Sequence, residues 1–475
     1  MTPGRVAWAA GGSLLLLVFR ASAAVTFEPH PDVQGVELPT VELRADAGRG
    51  HPERPWQRES WAGLDATPRA PGDYTLRFPV DGGKDGTTVL LPHCAGRLRV
   101  ELDGAEAPSA PGPVVVGVGP GAHEVRIVIK VSTYERRLAC GEAPRVGPLE
   151  TTRDNLGVLA FDSPYASRGG GRAVVYVPRG HDPTKPAALL VGLHPWNGTM
   201  WTYAAYAQLL HEARTRDVLL LMPSGLGNSL YTADAEDEVL RAIDALGVVT
   251  AIDPRRVSLW GASMGGAGAT TVGFHAPDRF AAVTSFFGDS KYDVTTYVRS
   301  ILPDDPTAHL VNALDVVENA ANLPVWLVHG IDDATSPIRQ SELLADAMRD
   351  AGYPVQLTRV PHIGHAGALV ARFLPEVVER AATLHRPEPV RRVAYRAVRP
   401  WDTGAYGVHL ARSSRARDAV VFADARPDGV HVTRAQNVSA LVLDPGAFGT
   451  DPAHPPPILF DGVAAITARW AQRTP

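Results

Sequence analysis

The chain has 475 residues, of which 45% are hydrophobic and 20% are charged, a composition that is normal for a soluble globular protein. This length exceeds one ordinary hydrophobic core and predicts two or three domains. Lysine and arginine number 46 against 51 aspartates and glutamates, a net charge of -5 without a long basic run, which argues against a nucleic-acid partner. The cysteine and histidine pattern does not predict a structural zinc site.

The first residues have the layout of a signal peptide. Arg5 precedes the apolar stretch Val6–Phe19, and the small residues Ala21–Ala23 follow at the spacing of a cleavage site. The stretch is too short to cross a bilayer comfortably, although an uncleaved anchor is the alternative. We therefore predict a signal peptide over residues 1–23 and a secreted or periplasmic mature protein, without stable membrane insertion.

Residues 24–150 are rich in proline and glycine and contain short segments of alternating polarity. Tyr74–Phe78, Leu98–Leu102 and Val125–Val131 are examples, and turn sequences separate them. Such segments predict an accessory β-sandwich. The layout resembles the jelly-roll modules that precede many polysaccharide-active enzymes, so a spacer, a lid and a carbohydrate-binding module are all compatible with it.

Cys94 and Cys140 are the only cysteines, and both fall in this region. An even pair within one small domain of an exported protein predicts a disulfide bond between them. Two unconnected buried thiols are the alternative.

The pattern changes at about residue 151. Short, nearly continuous apolar runs then alternate with helical periodicity up to residue 386. This alternation predicts an α/β fold with a doubly wound, mostly parallel sheet, whose functional groups lie on loops beyond the carboxyl ends of the strands. The predicted strands are Ala173–Pro178, Ala187–Leu193, Val218–Met222, Val257–Trp260, Ala281–Phe287, Val325–His329 and Val355–Val360, and the predicted helices are Trp201–Arg214, Ala235–Leu246, Met264–His275, Pro337–Ala351 and Ala366–Ala382.

The candidate nucleophile lies where the predicted strand Val257–Trp260 leads into the helix Met264–His275. Residues 261–265 read Gly-Ala-Ser-Met-Gly, which is Gly-x-Ser-x-Gly in a strand–turn–helix context and resembles the nucleophile elbow of the α/β-hydrolases. The glycines are needed because a side chain at either position would clash in so tight a turn. The resemblance makes Ser263 the nucleophile and gives the Met264 amide a place in an oxyanion hole. A glycine-rich turn without chemistry is the alternative.

The candidate acid lies in the loop after the predicted strand Val325–His329. This loop, Gly330–Pro337, resembles the His-Gly-x-x-Asp-x-x-x-Pro loop of the α/β-hydrolases, in which the aligned acid is Asp333. Asp332 is the second choice, and Asp289, which also follows a predicted strand, is the third.

The candidate base follows the last predicted strand of this region. A Gly-His pair there resembles the family's motif, and His365 fits better than His362 because it follows a permissive glycine and opens a predicted helix. The chain order Ser263, Asp333, His365 is the order of the superfamily. The resemblance therefore implies that His365 takes the proton of Ser263 while Asp333 orients the imidazole.

The loop after Ala187–Leu193 departs from the family pattern. Relatives have His-Gly-x here, and the residue after the glycine donates its amide to the oxyanion hole, whereas this chain has Pro195 in place of the glycine. Proline has no N–H to donate. The resemblance therefore implies that Trp196 supplies the second amide, beside Met264.

From residue 387 to residue 475 the helical patterns stop and short strand patterns return. This predicts a compact C-terminal β module. Its predicted strands are Val390–Val398, Ala405–Leu410, Ala419–Ala423, Val430–Val432, Ala440–Leu443 and Pro457–Phe460.

Gly261–Gly266 and Ala276–Val283 resemble secreted esterases of the feruloyl, acetylxylan and polyhydroxybutyrate-depolymerase type. They are also similar to prolyl-oligopeptidase-like serine peptidases, but true prolyl oligopeptidases carry a propeller, and the region before residue 151 is too short for several blades of about 40 residues. The expected activity is cleavage of bulky or polymer-linked carboxylic esters, with a serine peptidase as the alternative. A non-catalytic carbohydrate-binding protein on a hydrolase scaffold is a hypothesis of another class. The implied chemistry requires no metal or organic cofactor.

Overall fold

The computed structural model describes residues 25–47, 54–107, 111–150, 155–292, 308–414, 417–464 and 466–471. The predicted signal peptide, residues 1–23, lies outside these ranges. None of the helices described has the length and apolar character that a membrane crossing requires.

Among its described residues, the N-terminal region contains β-strands and one α-helix. The strands are β1 (Thr26–Pro29), β2 (Asp32–Val33), β3 (Val36–Glu37), β4 (Thr40–Ala45), β5 (Gln57–Ser60), β6 (Gly72–Asp81), β7 (Thr87–Leu91), β8 (Arg97–Leu102), β9 (Ala105–Ala107), β10 (Val114–Val118), β11 (Ala122–Val131), β12 (Arg145–Gly147) and β13 (Leu149–Glu150). Helix α1 (Trp61–Ala66) begins after Ser60, whose side chain accepts from the Gly63 amide and so satisfies one of the free donors at the helix start.

Two antiparallel sheets form the predicted β-sandwich. One has the order β5-β4-β6-β11-β8-β9, and the other has the order β10-β7-β12-β3. Alternate residues of both sheets, including Leu76, Val89 and Ile127, face inward and share one hydrophobic core. The alternation that was visible in the sequence is therefore the inward–outward alternation of sandwich strands.

The central region forms a nine-stranded sheet with helices packed against it. Besides β1, its strands are β14 (Asn155–Ala160), β15 (Arg172–Val177), β16 (Ala187–Leu193), β17 (Val218–Pro223), β18 (Ile252–Ala262), β19 (Ala282–Phe286), β20 (Val325–Gly330) and β21 (Val355–Val360). The helices are α2 (Ala207–Thr215), α3 (Asp234–Val249), α4 (Met264–His275), α5 (Arg339–Asp350), α6 (Gly367–Arg372) and α7 (Leu374–Thr383), with 3-10 helices at Ala166–Arg168, Thr202–Ala205, Pro277–Arg279 and Ala313–Ala320.

The sheet order is β1-β14-β15-β17-β16-β18-β19-β20-β21, and the strands from β17 to β21 along this order run parallel. Separate hydrophobic cores cover the two sides of the sheet. Strands β16, β17, β19 and β20 are therefore buried on both faces, whereas the edge strand β21 is partly exposed. Helix α4 is buried along its whole length and packs on β18 and β19. The predicted α/β class with a doubly wound, mostly parallel sheet is confirmed.

Two expectations from the sequence need correction. Strand β1 does not join the N-terminal sandwich, because it pairs antiparallel with β14 and caps the edge of the central sheet. The predicted helix Ala366–Ala382 is two helices, α6 and α7, because Pro375 stands in the first turn of the second and has no amide to continue the first.

The C-terminal region consists of two four-stranded sheets around one core. Its strands are β22 (Arg392–Ala397), β23 (Gly404–Ala405), β24 (Val408–Arg412), β25 (Ala419–Arg426), β26 (Gly429–Gln436), β27 (Val438–Leu443), β28 (Ile458–Phe460) and β29 (Thr467–Trp470), with a 3-10 helix at Gly446–Phe448. Arg399 joins this module to the central region, because it pairs with Glu236 of α3 as well as with Asp402.

Cys94 and Cys140 form a buried disulfide bridge in the N-terminal sandwich. The bridge joins residues 46 positions apart, so cutting it frees a long loop in the unfolded chain. Its reduction is expected to destabilise the sandwich by about 2–4 kcal/mol, because loop closure no longer restricts the unfolded ensemble. Calorimetric unfolding with and without a phosphine reductant measures this change, and two freely alkylated thiols in unreduced protein would contradict it.

Candidate active site

Ser263 stands at the sharp turn between β18 and α4. Its backbone has φ 57° and ψ -121°, a conformation that residues other than glycine rarely adopt. Its amide donates to Phe286 O at 2.9 Å, and its own carbonyl accepts from Ala267 at 2.9 Å. The surrounding structure therefore holds the serine in a conformation that an isolated peptide would avoid.

The two glycines of the turn are required by close backbone packing. A Cβ on Gly261 would lie 2.3 Å from the Gly265 carbonyl oxygen. A Cβ on Gly265 would lie 1.8 Å from the Leu193 oxygen and 2.9 Å from the His194 oxygen. Since neighbouring backbone atoms cannot move aside easily, this spacing admits only glycine.

The three residues that the sequence singled out lie in one hydrogen-bonded series. His365 Nε2 is 2.7 Å from Ser263 Oγ, and His365 Nδ1 is 2.8 Å from Asp333 Oδ2. The three side chains come from the loops after β18, β21 and β20, which all open at the carboxyl edge of the parallel sheet. Residues more than 100 positions apart in the chain thus meet because parallel strands end at one edge.

Asp333 is held as a carboxylate by its neighbours. Its Oδ1 accepts from the amides of Thr335 and Ser336 at 2.8 and 2.9 Å. Burial raises the pKa of Asp333, but the imidazoles of His329 and His365 outweigh that effect and hold the pKa well below its usual range. The carboxylate is therefore ionised at neutral pH and accepts a hydrogen bond from His365.

The second-choice residues lie elsewhere. Asp332 and His362 are exposed, and His365 Nδ1 faces Asp333 rather than either of them. Asp289 is buried and accepts from Ser336 Oγ at 2.7 Å. Of the three candidate acids, Asp333 is therefore the one that is hydrogen-bonded to His365.

The loop that contains Pro195 lies directly against the serine turn. The Pro195 carbonyl accepts from the Gly198 amide at 2.8 Å and lies 2.9 Å from Nδ1 of His194. In a trans peptide the N–H points opposite to the C=O, so the Trp196 amide faces away from both groups. Within the described ranges this amide donates to no oxygen of the protein.

Two asparagines fix the next residue of the same loop. The Asn197 amide donates to Asn228 Oδ1 at 2.7 Å, and Asn228 Nδ2 donates to Asn197 Oδ1 at 2.8 Å. Asn197 has φ 60°, a left-handed conformation that asparagine tolerates better than most residues. We refer to this reciprocal pair as the asparagine clasp.

The Met264 amide, like the Trp196 amide, is free to donate to a bound group. It belongs to the first turn of α4 and therefore has no acceptor within the helix.

Residues 227–382, which include Ser263, Asp333 and His365, match the model of the prolyl oligopeptidase family. The central region has the α/β-hydrolase fold, which is the fold of serine hydrolases. No curated protein matches it in sequence.

Solved structures of similar fold have low sequence identity to this chain. An S-formylglutathione hydrolase from Agrobacterium tumefaciens is 18% identical, covers 49% of this chain and 96% of its own, and has a TM-score of 0.43. A thermostable esterase is 17% identical over 66% of this chain and 95% of its own, with a TM-score of 0.39. Dipeptidyl peptidase 4 from Porphyromonas gingivalis is 16% identical over 44% of this chain and 33% of its own, with a TM-score of 0.38.

Two aromatic residues beside His365 are not apparent from the sequence of this protein. The Phe287 ring lies 4.5 Å from the His365 ring, and the Tyr134 ring lies 6.0 Å from it, measured between centroids. Phe287 directly follows β19, so its position at a strand end was a usable signal. Tyr134 belongs to the N-terminal domain, and no local pattern connects it with the site.

A large cavity among the described residues lies away from the triad. It has a volume of about 730 Å³ and lies between α1 of the N-terminal domain and helices α2 and α6. Its lining includes Asp65, Arg137 and Gln208 but none of the triad residues. This cavity is therefore separate from the candidate active site, which the triad geometry defines.

Proposed function

We propose that this protein is an exported serine hydrolase that cleaves carboxylic esters through an acyl-enzyme on Ser263. The supporting observation is the hydrogen-bonded series from Ser263 Oγ through His365 to Asp333, with distances of 2.7 and 2.8 Å. A serine hydroxyl becomes an effective nucleophile only when a neighbouring base accepts its proton during attack.

The proposed reaction has two halves. His365 Nε2 takes the Ser263 proton while Oγ attacks the ester carbonyl carbon, and the imidazolium then donates that proton to the departing alcohol. Water next attacks the acyl-enzyme, with His365 again accepting a proton and returning it to Ser263. Asp333 stays ionised throughout and stabilises the charged imidazole, in keeping with its lowered pKa.

The amides of Met264 and Trp196 form the proposed oxyanion hole. The first belongs to a helix N-terminus, and the second faces away from the Gly198 amide and His194 Nδ1, the two groups that contact the Pro195 carbonyl. Two such donors stabilise the negative oxygen of the tetrahedral intermediate, and losing one typically costs about 10²- to 10³-fold in kcat. The asparagine clasp fixes the peptide unit that follows the Trp196 donor.

Replacing Asn228 by alanine is expected to lower kcat for a p-nitrophenyl ester by about 10- to 100-fold, with KM nearly unchanged. The clasp then loses both hydrogen bonds and the Trp196 amide is no longer held in one direction. N228D keeps an acceptor for the Asn197 amide but loses the donor, so its kcat should lie between those of N228A and the wild type. Steady-state kinetics of the three proteins provide the measurement.

Asn322 offers the matched control for the clasp. Its side chain donates to the Arg392 carbonyl at 2.7 Å, away from the triad, so N322A should keep the wild-type kcat. Equal losses in N228A and N322A, or an effect of N228A on KM alone, would show that the clasp does not support the oxyanion hole.

A panel of ester and anilide substrates distinguishes the proposed esterase from the alternative, a serine peptidase. The prolyl oligopeptidase family match over residues 227–382 is the observation that favours a peptidase. An alcohol leaves more readily than an amine, so the proposed enzyme should hydrolyse p-nitrophenyl acyl esters and feruloyl esters with higher kcat/KM than prolyl anilides. A higher kcat/KM for the prolyl anilides would establish the peptidase instead.

A fluorophosphonate probe tests the hypothesis of a non-catalytic carbohydrate-binding protein. Such a probe reacts with an activated serine, and the short contact between Ser263 and His365 favours stoichiometric labelling of the folded protein. Absence of labelling, with the protein folded by circular dichroism, would favour the binding protein.

The proposal of export rests on the signal-peptide layout of residues 1–23 and on the Cys94–Cys140 bridge, since disulfides persist in oxidising compartments. Mass spectrometry of the protein recovered from an expressing culture should find a mature N-terminus close to residue 24 in the periplasmic or culture fraction. An intact N-terminus in the cytoplasmic fraction would contradict export.

A further inference from the structure

A segment of the N-terminal domain, Ser132–Arg137, reaches the catalytic histidine. The Tyr134 ring lies 6.0 Å from the His365 ring at an interplanar angle of 57°, and 6.3 Å from the Phe287 ring at 72°. Phe287 itself lies 4.5 Å from His365. The imidazole therefore packs beside two aromatic rings, one from each domain, while its nitrogens face Asp333 and Ser263.

The same segment contacts the backbone just after His365. The Gly367 amide, at the start of α6, donates to the Tyr134 carbonyl at 2.9 Å. A Cβ on Gly367 would lie 2.8 Å from a carboxylate oxygen of Glu135. Glycine at this position thus allows the two domains to approach closely, two residues from the catalytic base.

Buried charges anchor the segment to both domains. Glu135 accepts from the Tyr206 hydroxyl at 2.9 Å and from Arg137 Nε at 3.3 Å. Arg137, whose side chain is 2% exposed, also pairs with Asp65 and lies over the Tyr206 ring at 4.2 Å. Breaking such a buried network leaves unpaired charges, so the segment has little freedom to move relative to the central region.

The Tyr134 hydroxyl does not take part in this anchoring. It is buried and has no hydrogen-bond partner among the described residues. Its burial raises the pKa of the phenol well above its usual value, which keeps the group neutral. The contacts with His365 and Phe287 are therefore made by the aromatic ring and by the backbone carbonyl.

We propose that Tyr134 is a positioning residue: its ring and carbonyl hold the His365 loop so that the imidazole stays aligned between Ser263 and Asp333. This inference rests on the proposed function, because it requires His365 to act as the base. It makes the N-terminal domain a part of the catalytic unit. Small displacements of a catalytic group are costly, since proton transfer depends on the distance and direction of the hydrogen bond.

Variants of Tyr134 test the proposal with a p-nitrophenyl ester. Y134A is expected to lower kcat by about 10- to 100-fold while KM changes by less than about 2-fold, because the base loses alignment but substrate binding is unaffected. Y134F retains the ring and should stay within about 2-fold of the wild-type kcat. The rate of fluorophosphonate labelling should fall with kcat in Y134A and recover in Y134F.

His93 provides the control for a loosened interface. Like Tyr134, it is a partly buried ring of the N-terminal domain at the boundary with the central region, but it packs on Trp201, at 5.9 Å, rather than on His365. H93A should keep the wild-type kcat. Thermal unfolding of each variant reports on folding, and Y134L, which fills part of the space without a flat ring, replaces Y134A if the latter does not fold and should show the same loss.

Three results would overturn the proposal: wild-type kcat in folded Y134A, equal losses in Y134A and H93A, or a loss in Y134F as large as that in Y134A. Wild-type protein and Ser263→Ala are measured in the same assay. If the wild type does not exceed Ser263→Ala, the proposed function fails and this inference fails with it. If the wild type is active and folded Y134A equals it, only the inference fails.

Discussion

Alanine at position 263 is expected to lower ester turnover by about five to six orders of magnitude while leaving the protein folded. The hydroxyl that His365 faces at 2.7 Å is then absent, and no acyl-enzyme forms. The backbone is already held at φ 57° by its neighbours, and alanine is smaller than serine, so no new contact arises. Turnover of p-nitrophenyl acetate, together with fluorophosphonate labelling, gives the measurement.

Ser258 is the matched control for this substitution. It lies in the same strand, β18, is 3% exposed, and its Oγ has no hydrogen-bond partner among the described residues. S258A removes a buried hydroxyl without breaking a hydrogen bond, so activity should persist and stability should be unchanged or slightly higher. Substantial turnover in Ser263→Ala would refute the nucleophile.

Asparagine at position 333 is expected to lower kcat by about 10⁴-fold, as the corresponding change does in a serine protease triad. The carboxylate that accepts from His365 Nδ1 at 2.8 Å is replaced by an amide. Rotation of that amide to offer its NH₂ group favours the wrong imidazole tautomer, in which Nε2 carries the proton and cannot take one from Ser263. Steady-state kinetics at neutral pH measure the loss.

The same substitution has a consequence for stability at low pH. The pKa of Asp333 is lower in the folded protein than in the unfolded chain, because the neighbouring imidazoles of His329 and His365 outweigh the effect of burial. The carboxylate therefore stabilises the fold above its unfolded pKa of about 3.9, and this contribution is lost as the pH falls through that value toward the folded pKa. Urea unfolding at about pH 7, 5 and 3 should show a difference between the wild type and D333N that shrinks only at the lowest pH.

Asp332 is the neighbouring control. It is exposed and does not contact His365, so D332N should keep nearly all activity and the same acid stability as the wild type. If D332N lost activity while D333N retained it, the acid would have to be reassigned.

Several features of this protein follow from short stretches of sequence. Strands β16 and β21 and helix α4 have the bounds that were predicted from their apolar and small residues. Such patterns can be recognised locally, because they extend over only a few consecutive residues. The strained turn at Ser263 is equally local, since only glycine fits at 261 and 265. Strand β14 was not predicted, because its six residues have no distinctive alternation.

Other features depend on contacts between distant segments. The pairing of β1 with β14 joins residues about 130 positions apart, and the four residues of β1 give no sign of their partner. The asparagine clasp joins two loops, and Asn228 alone is an ordinary loop residue. Tyr134 lies in a segment that the sequence associates only with the sandwich.

The sequence by itself determined the fold class, the serine turn and the order of Ser263, Asp333 and His365, because strand–loop–helix patterns and glycine requirements act over a few residues. Tertiary structure decided which acid faces His365, how the Pro195 loop orients the Trp196 amide, and that the N-terminal domain packs against the histidine. These arrangements depend on the packing of segments that are distant in the chain. They also depend on the parallel strands, whose carboxyl ends lie at one edge of the sheet and bring three loops together.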